Sequence, residues 1–384
     1  MIDGWHVRKI GEVCDLATGG TPSTTNATFY GGAIKWLVSG DIHRREILEC
    51  EGRITEAGMK ASNAKLLPVN SVMIALNGQG KTRGTVAILR TLATCNQSLV
   101  SITPRSSSGL LPEFLFINLQ GRYGEIRRLT SDADNDRRGL NMGMIREIEV
   151  PIAPIPEQQR IVTILDEAFD GIATAKANAE KNLQNARAIF ESHLELVFTQ
   201  RGDGWVQTAL ENCCEQIFAG GDVPKDCLSQ ERTAKCNVPI FSNGIKDDGL
   251  YGFTAVARVT KPSITVSARG TIGFSVIRTE PYLPVVRLIV LIPDARLLNL
   301  SFLYYRVLGM NFVNTGTSIP QLTVPNIKGR TLYLPSLPQQ KVIVAKLDSL
   351  QEEVQRLESI YQQKLSALDD LKKSLLHRAF NGEL

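Results

Sequence analysis

The segment Ala75–Thr82 ends with the residue types of a phosphate-binding loop. Gly78 and Gly80 precede Lys81 and Thr82, as glycines precede the lysine in P-loop nucleotide-binding enzymes. That loop needs a helix after it, because the amides at the helix start hold the phosphate. Here the chain continues through Gly84 into a strand-like run, and Ala75 replaces the usual first glycine. We interpret the segment as a polar hairpin tip, with a P-loop nucleotide-binding enzyme as the alternative.

Other catalytic patterns are weak. Asp132, Asp134 and Asp136 alternate as nuclease carboxylates would, but Asn135 and Arg137 interleave with them, which favours a solvated loop. The sequence has no Asn/Asp-Pro-Pro-aromatic motif for methyl transfer to a base. The four histidines do not pair at helical spacing, and the seven cysteines are an odd count without a CxxC motif. We therefore predict no catalytic residues, no metal site and no disulfide framework.

Polar side chains gather on predicted loop tips in two basic halves of the chain. Residues 1–150 carry 18 basic and 15 acidic side chains and residues 203–332 carry 13 and 10, although the net charge is only +4. In the major groove Arg pairs with guanine and Asn or Gln with adenine, whereas Lys and Thr suit phosphates. The predicted DNA-binding residues are Thr21, Ser39, Asp41, Asn77, Gln79, Lys81, Thr82, Arg83, Asn96, Gln97, Arg137, Arg138, Lys225, Ser242, Asn243, Ser267, Arg269, Thr271, Arg287, Thr315, Thr317 and Gln321.

The elements that position these loops come from a tandem duplication. Shifted by 182 positions, residues 140–202 fall on 322–384 without a gap, so that Gln158 meets Gln340. A shift of 189 brings residues 71–104 onto the segment ending at Pro293 and pairs Thr82 with Thr271. A repeat of this length is a domain followed by a helix rather than a solenoid unit.

Each copy ends in a predicted long helix with apolar residues at alternating spacings of four and three. Pro156 and Pro338 suit the first helical turn, and about 43 residues give roughly 64 Å of helix. This spacing is typical of a coiled coil, and the returning chain favours antiparallel pairing. The alternative is that each helix packs only on its own domain. The predicted seam is Ile161, Leu165, Ala168, Ile172, Ile343, Leu347, Leu350, Val354 and Leu357.

These patterns predict an α+β chain: two mixed α/β domains separated by two long helices that form an antiparallel coiled coil with pseudo-two-fold symmetry. The predicted boundaries are 1–150 for the first domain, 151–202 for the first helical region, 203–332 for the second domain and 333–384 for the second helical region. Apolar runs between Gly, Asn and Pro predict strands and short helices. The strands are expected at 71–76, 85–89, 99–103, 264–267 and 288–292, and the helices at 112–119 and 300–308.

Several segments together resemble the specificity subunits of type I restriction–modification systems, over essentially the whole chain. Two segments resemble the opening of their first target-recognition domain, Gly19–Ser23 and Ile34–Ile42. Two others resemble a version of their second one, Val238–Ile245 and Ser267–Gly273. The shared helical regions are matched by 151–160, 334–341 and the closing 375–384, with Gln339 departing from the more usual Glu157 of the first copy.

The resemblance implies that each recognition domain reads half of a bipartite double-stranded DNA site, with the helices setting the unread gap. Two adenine methyltransferase subunits would dock on the helices, and two ATP-driven restriction (translocase) subunits would complete the complex. S-adenosylmethionine, ATP and Mg²⁺ are implied for those partners, and no cofactor for this chain. A cytoplasmic location is expected, since no apolar run approaches about 18 residues and no signal peptide opens the sequence. A coiled-coil protein scaffold without DNA binding is the other alternative.

Overall fold

The computed structural model describes residues 4–78, 80–130, 139–200, 202–225, 227–310, 312 and 321–384. The chain divides into two compact units. Unit 1 comprises residues 1–178 and 364–384, and unit 2 comprises residues 179–363. Each unit holds one mixed α/β domain and a piece of both long helices, while the four-part division at 150, 202 and 332 stays a prediction.

Unit 1 is built on a five-stranded sheet in the order β2-β9-β6-β7-β4, with a smaller sheet in the order β5-β3-β8 and the pair β1-β10. All residues of β6 and β7 are buried, because both are continuous apolar runs. The strands are β1 (His6–Lys9), β2 (Cys14–Thr18), β3 (Tyr30–Leu37), β4 (Glu46–Ile47), β5 (Arg53–Ile54), β6 (Val72–Ala75), β7 (Val86–Leu89), β8 (Thr94–Cys95), β9 (Leu99–Pro104) and β10 (Glu149–Ile152). The short helices are α1 (Ile10–Val13), α2 (Glu56–Lys60), α3 (Pro112–Gly121), α4 (Tyr123–Arg128) and α5 (Met142–Arg146).

Unit 2 repeats this plan with a four-stranded sheet, β12-β18-β15-β16, a three-stranded sheet, β14-β13-β17, and the pair β11-β19. The strands are β11 (Val206–Ala209), β12 (Cys214–Ala219), β13 (Val238–Phe241), β14 (Leu250–Thr254), β15 (Ser263–Val266), β16 (Ser275–Arg278), β17 (Leu283–Pro284), β18 (Ile289–Pro293) and β19 (Thr331–Leu334). Its short helices are α7 (Leu300–Leu308) and α8 (Val324–Lys328). The five strands and two helices predicted from the apolar runs are confirmed to within two residues at each end.

The long helices α6 (Ile155–Thr199) and α9 (Leu337–Phe380) lie side by side in each unit. In unit 1, Lys176 of α6 and Asp369 of α9 form an ion pair at 2.5 Å. In unit 2, Arg187 of α6 forms one with Glu358 of α9, also at 2.5 Å. In unit 1, Arg160 near the start of α6 also donates to Leu384 O just beyond the end of α9. The two contacts of unit 1 together confirm the antiparallel pairing in that unit.

Each long helix also packs on a domain core. The predicted alternative, packing of each helix on a domain, therefore occurs together with the pairing of the two helices. In unit 1 the core residues of α6 lie in one cluster with Trp5 and Phe114, and that cluster includes Ala379 of α9. The predicted seam is buried at Ile161, Leu165, Ile172, Leu347 and Val354 and half-buried at Ala168, Ile343, Leu350 and Leu357. Phe169, rather than Ala168, takes the buried position in the second turn of the seam.

A fully buried glutamine fixes the start of each long helix to its domain. The Gln158 amide donates to the carbonyls of Gly109 and Ala153, each at 2.7 Å, and its oxygen accepts from Leu111 N at 2.9 Å. Gln340 makes the same three bonds in unit 2, donating to Leu297 O and Pro335 O and accepting from Asn299 N. A buried amide needs hydrogen-bond partners for its donors and its acceptor, and this joint supplies them in both units. This requirement explains why the glutamine is repeated.

The cysteine prediction was wrong at one pair. Cys227 and Cys236, nine positions apart in unit 2, are joined by a disulfide. Spacing alone did not reveal it, because the two residues come together only when the long β12–β13 connection folds back. The other five cysteines are free. No helix among the described residues has the length and apolar character needed to cross a membrane.

Candidate nucleic-acid interface

Four loops of unit 2 meet on one surface. They are the segment after β12, the β13–β14 loop Ser242–Gly249, the β15–β16 hairpin tip and the turn before β18. Backbone bonds join the first to the last: Gly220 N donates to Leu288 O and Val286 N to Gly221 O, both at 2.8 Å. The hairpin tip is joined to the segment before α8, since Leu322 N donates to Ala268 O at 2.9 Å.

Asn243 clamps three of these loops. Its amide nitrogen donates to Val286 O at 2.7 Å, and its amide oxygen accepts from Ala268 N at 2.7 Å. Both ends of the side chain are therefore engaged within the protein, which suits a residue that positions loops. Arg269 lies beside this clamp at the hairpin tip and donates to Gln321 Oε1 at 3.0 Å.

The turn before β18 has an unusual backbone. Val286 and Arg287 both adopt positive φ, at 51° and 61°. A β-branched residue in this left-handed region is strained by about 1–3 kcal/mol, and such strain is retained where surrounding structure holds it and often at functional sites. Here Asn243 and Gly221 hold the turn through Val286, and the turn presents the exposed Arg287 side chain.

The equivalent surface of unit 1 starts from the same strand pair. β3 and β8 run parallel, as β13 and β17 do, and Asn96 N donates to Leu37 O just as Val285 N donates to Phe241 O, both at 2.9 Å. Thr21 donates to Gln97 Oε1 at 2.6 Å, so the segment after β2 meets the turn before β9. Asp41 accepts from Val38 N at 2.8 Å and thereby shapes the turn after β3.

The hairpin between β6 and β7 carries the Lys81 tip and is anchored on α4. Tyr123 donates to Lys81 O at 3.0 Å, and Arg127 donates to Gly80 O. Thr82 and His43 share a hydrogen bond of 3.1 Å between Oγ1 and Nε2. The chain enters β7 after the tip instead of a helix, which confirms the hairpin interpretation and leaves the tip without the helix start that a P-loop requires.

Exposure divides the predicted DNA-binding residues into groups. The exposed ones are Thr21, Asn77, Lys81, Gln97, Lys225, Arg269 and Arg287. The half-buried ones are Ser39, Asp41, Thr82, Asn96, Ser242, Asn243, Thr271 and Gln321, while Arg83 and Ser267 are buried. Gln79, Arg137, Arg138, Thr315 and Thr317 lie outside the described residues, as do the three aspartates of the 132–136 segment.

The metal-binding and thiol groups of the described part of the chain were compared with what metal binding and thiol chemistry require. Within it, no three His, Cys, Asp or Glu side chains lie close enough together to hold a metal ion. Burial raises the pKa of the thiols of Cys14, Cys95 and Cys214 to about 12, so these three stay protonated and unreactive at neutral pH.

Sequence comparison connects both units to a known family. The family described as the type I restriction modification DNA specificity domain matches the chain twice, at residues 2–184 and 203–365. The chain belongs to this family. The two matches coincide with the two copies of the duplication, so each unit carries one DNA specificity domain.

The relatives are specificity subunits by name. A Mycoplasma pneumoniae protein designated type I specificity subunit S.MpnORF507P is 33% identical over 214 residues, 56% of this chain and 58% of the relative. The Escherichia coli type I restriction enzyme EcoR124I/EcoR124II specificity subunit is 26% identical over 195 residues, 50% of this chain and 48% of the relative. The chain thus spans about half the length of these relatives.

Solved structures share the fold over the full chain. A chain from a study of complex assembly and conformational transition in the type I R-M system has a TM-score of 0.83 at 19% identity, covering 100% of this chain and 99% of that one. The HsdS subunit from Thermoanaerobacter tengcongensis has a TM-score of 0.66 at 20% identity, covering 100% and 98%. At these identities the likeness concerns the fold alone.

Some residues that shape the candidate interface are not predicted from the sequence. The sequence predicts no role for His43, although it directly follows the Ser39–Ile42 stretch and its Nε2 shares a hydrogen bond with Thr82 Oγ1. Tyr123 and Arg127 carry no loop signal because they lie on a helix and contact the hairpin tip across the fold. Val286 is an apolar residue whose role depends on a backbone conformation that no sequence pattern indicates.

Proposed function

We propose that this chain is the sequence-reading subunit of a type I restriction–modification complex and catalyses no reaction itself. Each unit is proposed to read one half of a bipartite double-stranded DNA site. The observation that carries the proposal is the repeated loop surface: in both units the loop after the first strand of a parallel pair contacts a hairpin tip, and this surface presents exposed basic or amide side chains. Lys81 and Gln97 stand on unit 1, and Arg269 and Arg287 on unit 2.

The chemistry of these side chains matches base and phosphate contacts. A guanidinium donates in a fixed fork that fits the O6 and N7 atoms of guanine, so Arg269 and Arg287 suit direct reading in the major groove. The Gln97 amide suits adenine, and Lys81 suits a phosphate. A carboxamide with both ends engaged within the protein, such as that of Asn243, is proposed to position the loops instead.

The long helices are proposed to set the unread gap and to dock the partners. Large apolar side chains remain exposed on them, Ile189 and Leu196 on α6 and Ile360 and Leu371 on α9. An exposed apolar stripe on a helix suits another helix as its partner. We propose two methyltransferase subunits on these faces and two restriction (translocase) subunits beyond them. S-adenosylmethionine, ATP and Mg²⁺ would belong to those subunits, and the complex would act in the cytoplasm, on the cell's DNA.

The test is to express the chain with its methyltransferase subunit and to map methylated adenines by long-read sequencing. We expect a motif of two short parts separated by an unread gap, present only when this chain is expressed. The same cells without the chain are the control. Methylation that does not depend on the chain contradicts the proposal.

The docking part has its own test. The double substitution Ile189→Asp and Leu196→Asp should lower the amount of methyltransferase subunit that copurifies with the chain, since it places two charges on the apolar face. Glu191→Gln, on an exposed part of the same helix segment, is the matched control. Equal copurification of all three proteins contradicts docking on this face of α6.

A further inference from the structure

Arg278 is a buried arginine in unit 2 that neither base reading nor partner docking explains. It is the last residue of β16 and is only 8% exposed. Its guanidinium carbon lies 3.5 Å from the centroid of the Phe241 ring, and Nε donates to Thr265 Oγ1 at 3.1 Å. A further nitrogen of the same group donates to the carbonyl of Asp248.

The Asp248 carbonyl belongs to the loop Ser242–Gly249, which follows Phe241 directly. This loop contains two non-glycine residues with positive φ, Asp247 at 48° and Asp248 at 54°. Left-handed backbone at consecutive non-glycine residues is unfavourable unless neighbouring structure holds it. Arg278 supplies this support, since its guanidinium lies over the Phe241 ring just before the loop and donates to the Asp248 carbonyl near the loop's end.

The guanidinium remains a cation in this environment. Burial lowers the pKa of Arg278 to about 10, because the charged form loses its hydration, and the nearby Asp248 acts in the opposite direction. At neutral pH the group is therefore charged and keeps its donors for Thr265 and Asp248.

Unit 1 supports the equivalent loop with backbone hydrogen bonds instead of a side chain. The position equivalent to Arg278 is Leu89, the last residue of β7, which is fully buried. There the loop after β3 continues into β4, which lies parallel to β7: Ile88 N donates to Arg45 O at 3.0 Å and Arg90 N to Ile47 O at 2.9 Å. Among the described strands of unit 2, β16 has no such neighbour and ends its sheet. The side chain of Arg278 therefore takes the place of a strand pairing.

We propose that Arg278 is a positioning residue that sets the base specificity of unit 2 by fixing the loop Ser242–Gly249. This role rests on the proposed function, because the loop carries Ser242 and, through Asn243, holds the turn that presents Arg287. Arg278 itself touches no base. Without the Arg278 contacts, the loop and the Asn243 clamp change position. Arg269 and Arg287 then lose the geometry in which they face the DNA.

The experiment compares Arg278→Met, Arg278→Lys and Arg306→Met in the complex of the full chain with its methyltransferase subunit. Adenine methylation is measured on a library in which every position of both half-sites is varied. Arg306 is the matched control, since it is a half-buried arginine of unit 2 that also lies over an aromatic ring, Phe198 at 4.8 Å, but on α7.

R278M should reduce the preference for the second half-site by about tenfold, equivalent to ~1.4 kcal/mol, and leave the first half-site unchanged. R278K keeps the charge but not the planar fork, so we expect an intermediate loss of about threefold at the second half-site. R306M should leave both half-sites as they are. If R278M does not assemble with the methyltransferase subunit, the methylation selectivity of R278K at the second half-site tests the role of Arg278 instead.

Three results would overturn the role of Arg278: unchanged selectivity in R278M or R278K, an equal loss at both half-sites, or an equal loss in R306M. A wild-type complex without a two-part motif contradicts the proposed function and this role with it. A two-part motif that the Arg278 variants leave intact contradicts only the role of Arg278, so the two failures are distinguishable.

Discussion

The two units share a strand plan and a helix joint but hold their other parts with different chemistry. Both use a buried glutamine at the start of a long helix, with the same three bonds in each copy. At the equivalent helix position, Asp166 of unit 1 pairs with Arg45, whereas Asp348 of unit 2 accepts from Tyr305. Unit 1 supports its first long loop with β4, and unit 2 supports its own with Arg278.

The two copies indicate which contacts of the duplicated fold can be replaced by others. Where a buried helix side chain bonds the backbone of the domain, both copies keep the same residue, since few side chains can replace a buried amide. Where a contact supports a loop or lies near the surface, the two copies use different residues. Several kinds of hydrogen-bond donor can bind a carbonyl or a carboxylate. The following variants test this division.

The largest effect should come from the shared joint. Gln158→Leu leaves three buried backbone groups without their partner and should lower the local stability of unit 1 by about 3–5 kcal/mol. Gln340→Leu should do the same in unit 2. Native-state hydrogen exchange, followed separately in α3 and α7, measures both. Gln159→Leu, at the exposed neighbouring position, is the control, and an equally large loss in that variant would contradict the role of the buried amide.

Reduction of the disulfide should affect unit 2 alone. Opening the Cys227–Cys236 bond releases a loop of about ten residues and should destabilise unit 2 by about 2–3 kcal/mol. Hydrogen exchange with and without a dithiol reductant tests this expectation. Cys227→Ser should already show the loss and respond no further to reductant. Equal sensitivity of the two units to reductant would mean that the bond makes no local contribution.

Tyr305→Phe should cost unit 2 about 2 kcal/mol, because it removes a hydroxyl that contacts both Asp348 and Gln351 at 2.5 and 2.8 Å. Burial and the Asp348 carboxylate raise the pKa of the Tyr305 phenol. The folded pKa is raised, so the contribution is complete below about pH 10 and is lost only as the pH rises further. Urea unfolding of wild type and Y305F should therefore differ equally at pH 6 and pH 9, and a difference that vanishes at pH 9 would contradict this expectation.

The smallest effect should come from the corresponding contact in unit 1. Arg45 and Asp166 are 41% and 39% exposed, so Arg45→Met should change stability by less than about 1 kcal/mol. Most of that difference should disappear in about 1 M salt, where charges are screened. Unfolding at low and high salt measures this, and a larger loss in R45M than in Y305F would reverse the comparison of the two units.

Much of the fold follows from the sequence because the duplication can be read directly. The shift that aligns Gln158 with Gln340 also aligns the starts of both helices, and the buried runs at 72–75 and 289–293 are apolar enough to predict strands. The candidate interface is less predictable. Arginine is typically a surface residue and valine a strand residue, so the residue types of Arg278 and Val286 do not predict their contacts. The hydrogen-bond partners of both lie far along the chain. Loop tips can be predicted from turn residues, but the contacts that orient them depend on the folded backbone.

The most direct test of the account measures whether each unit reads its own half-site. Lys81→Ala with Gln97→Ala changes exposed residues of unit 1, and Arg269→Ala with Arg287→Ala changes those of unit 2. Each bidentate base contact removed, at Gln97, Arg269 or Arg287, should cost about 1–3 kcal/mol of discrimination, whereas the loss of Lys81 should weaken binding about equally at all sequences. Methylation maps of the two double variants should show relaxed specificity in opposite halves of a two-part motif. Relaxation of the same half by both pairs, or of neither half, would contradict the division of reading between the two units.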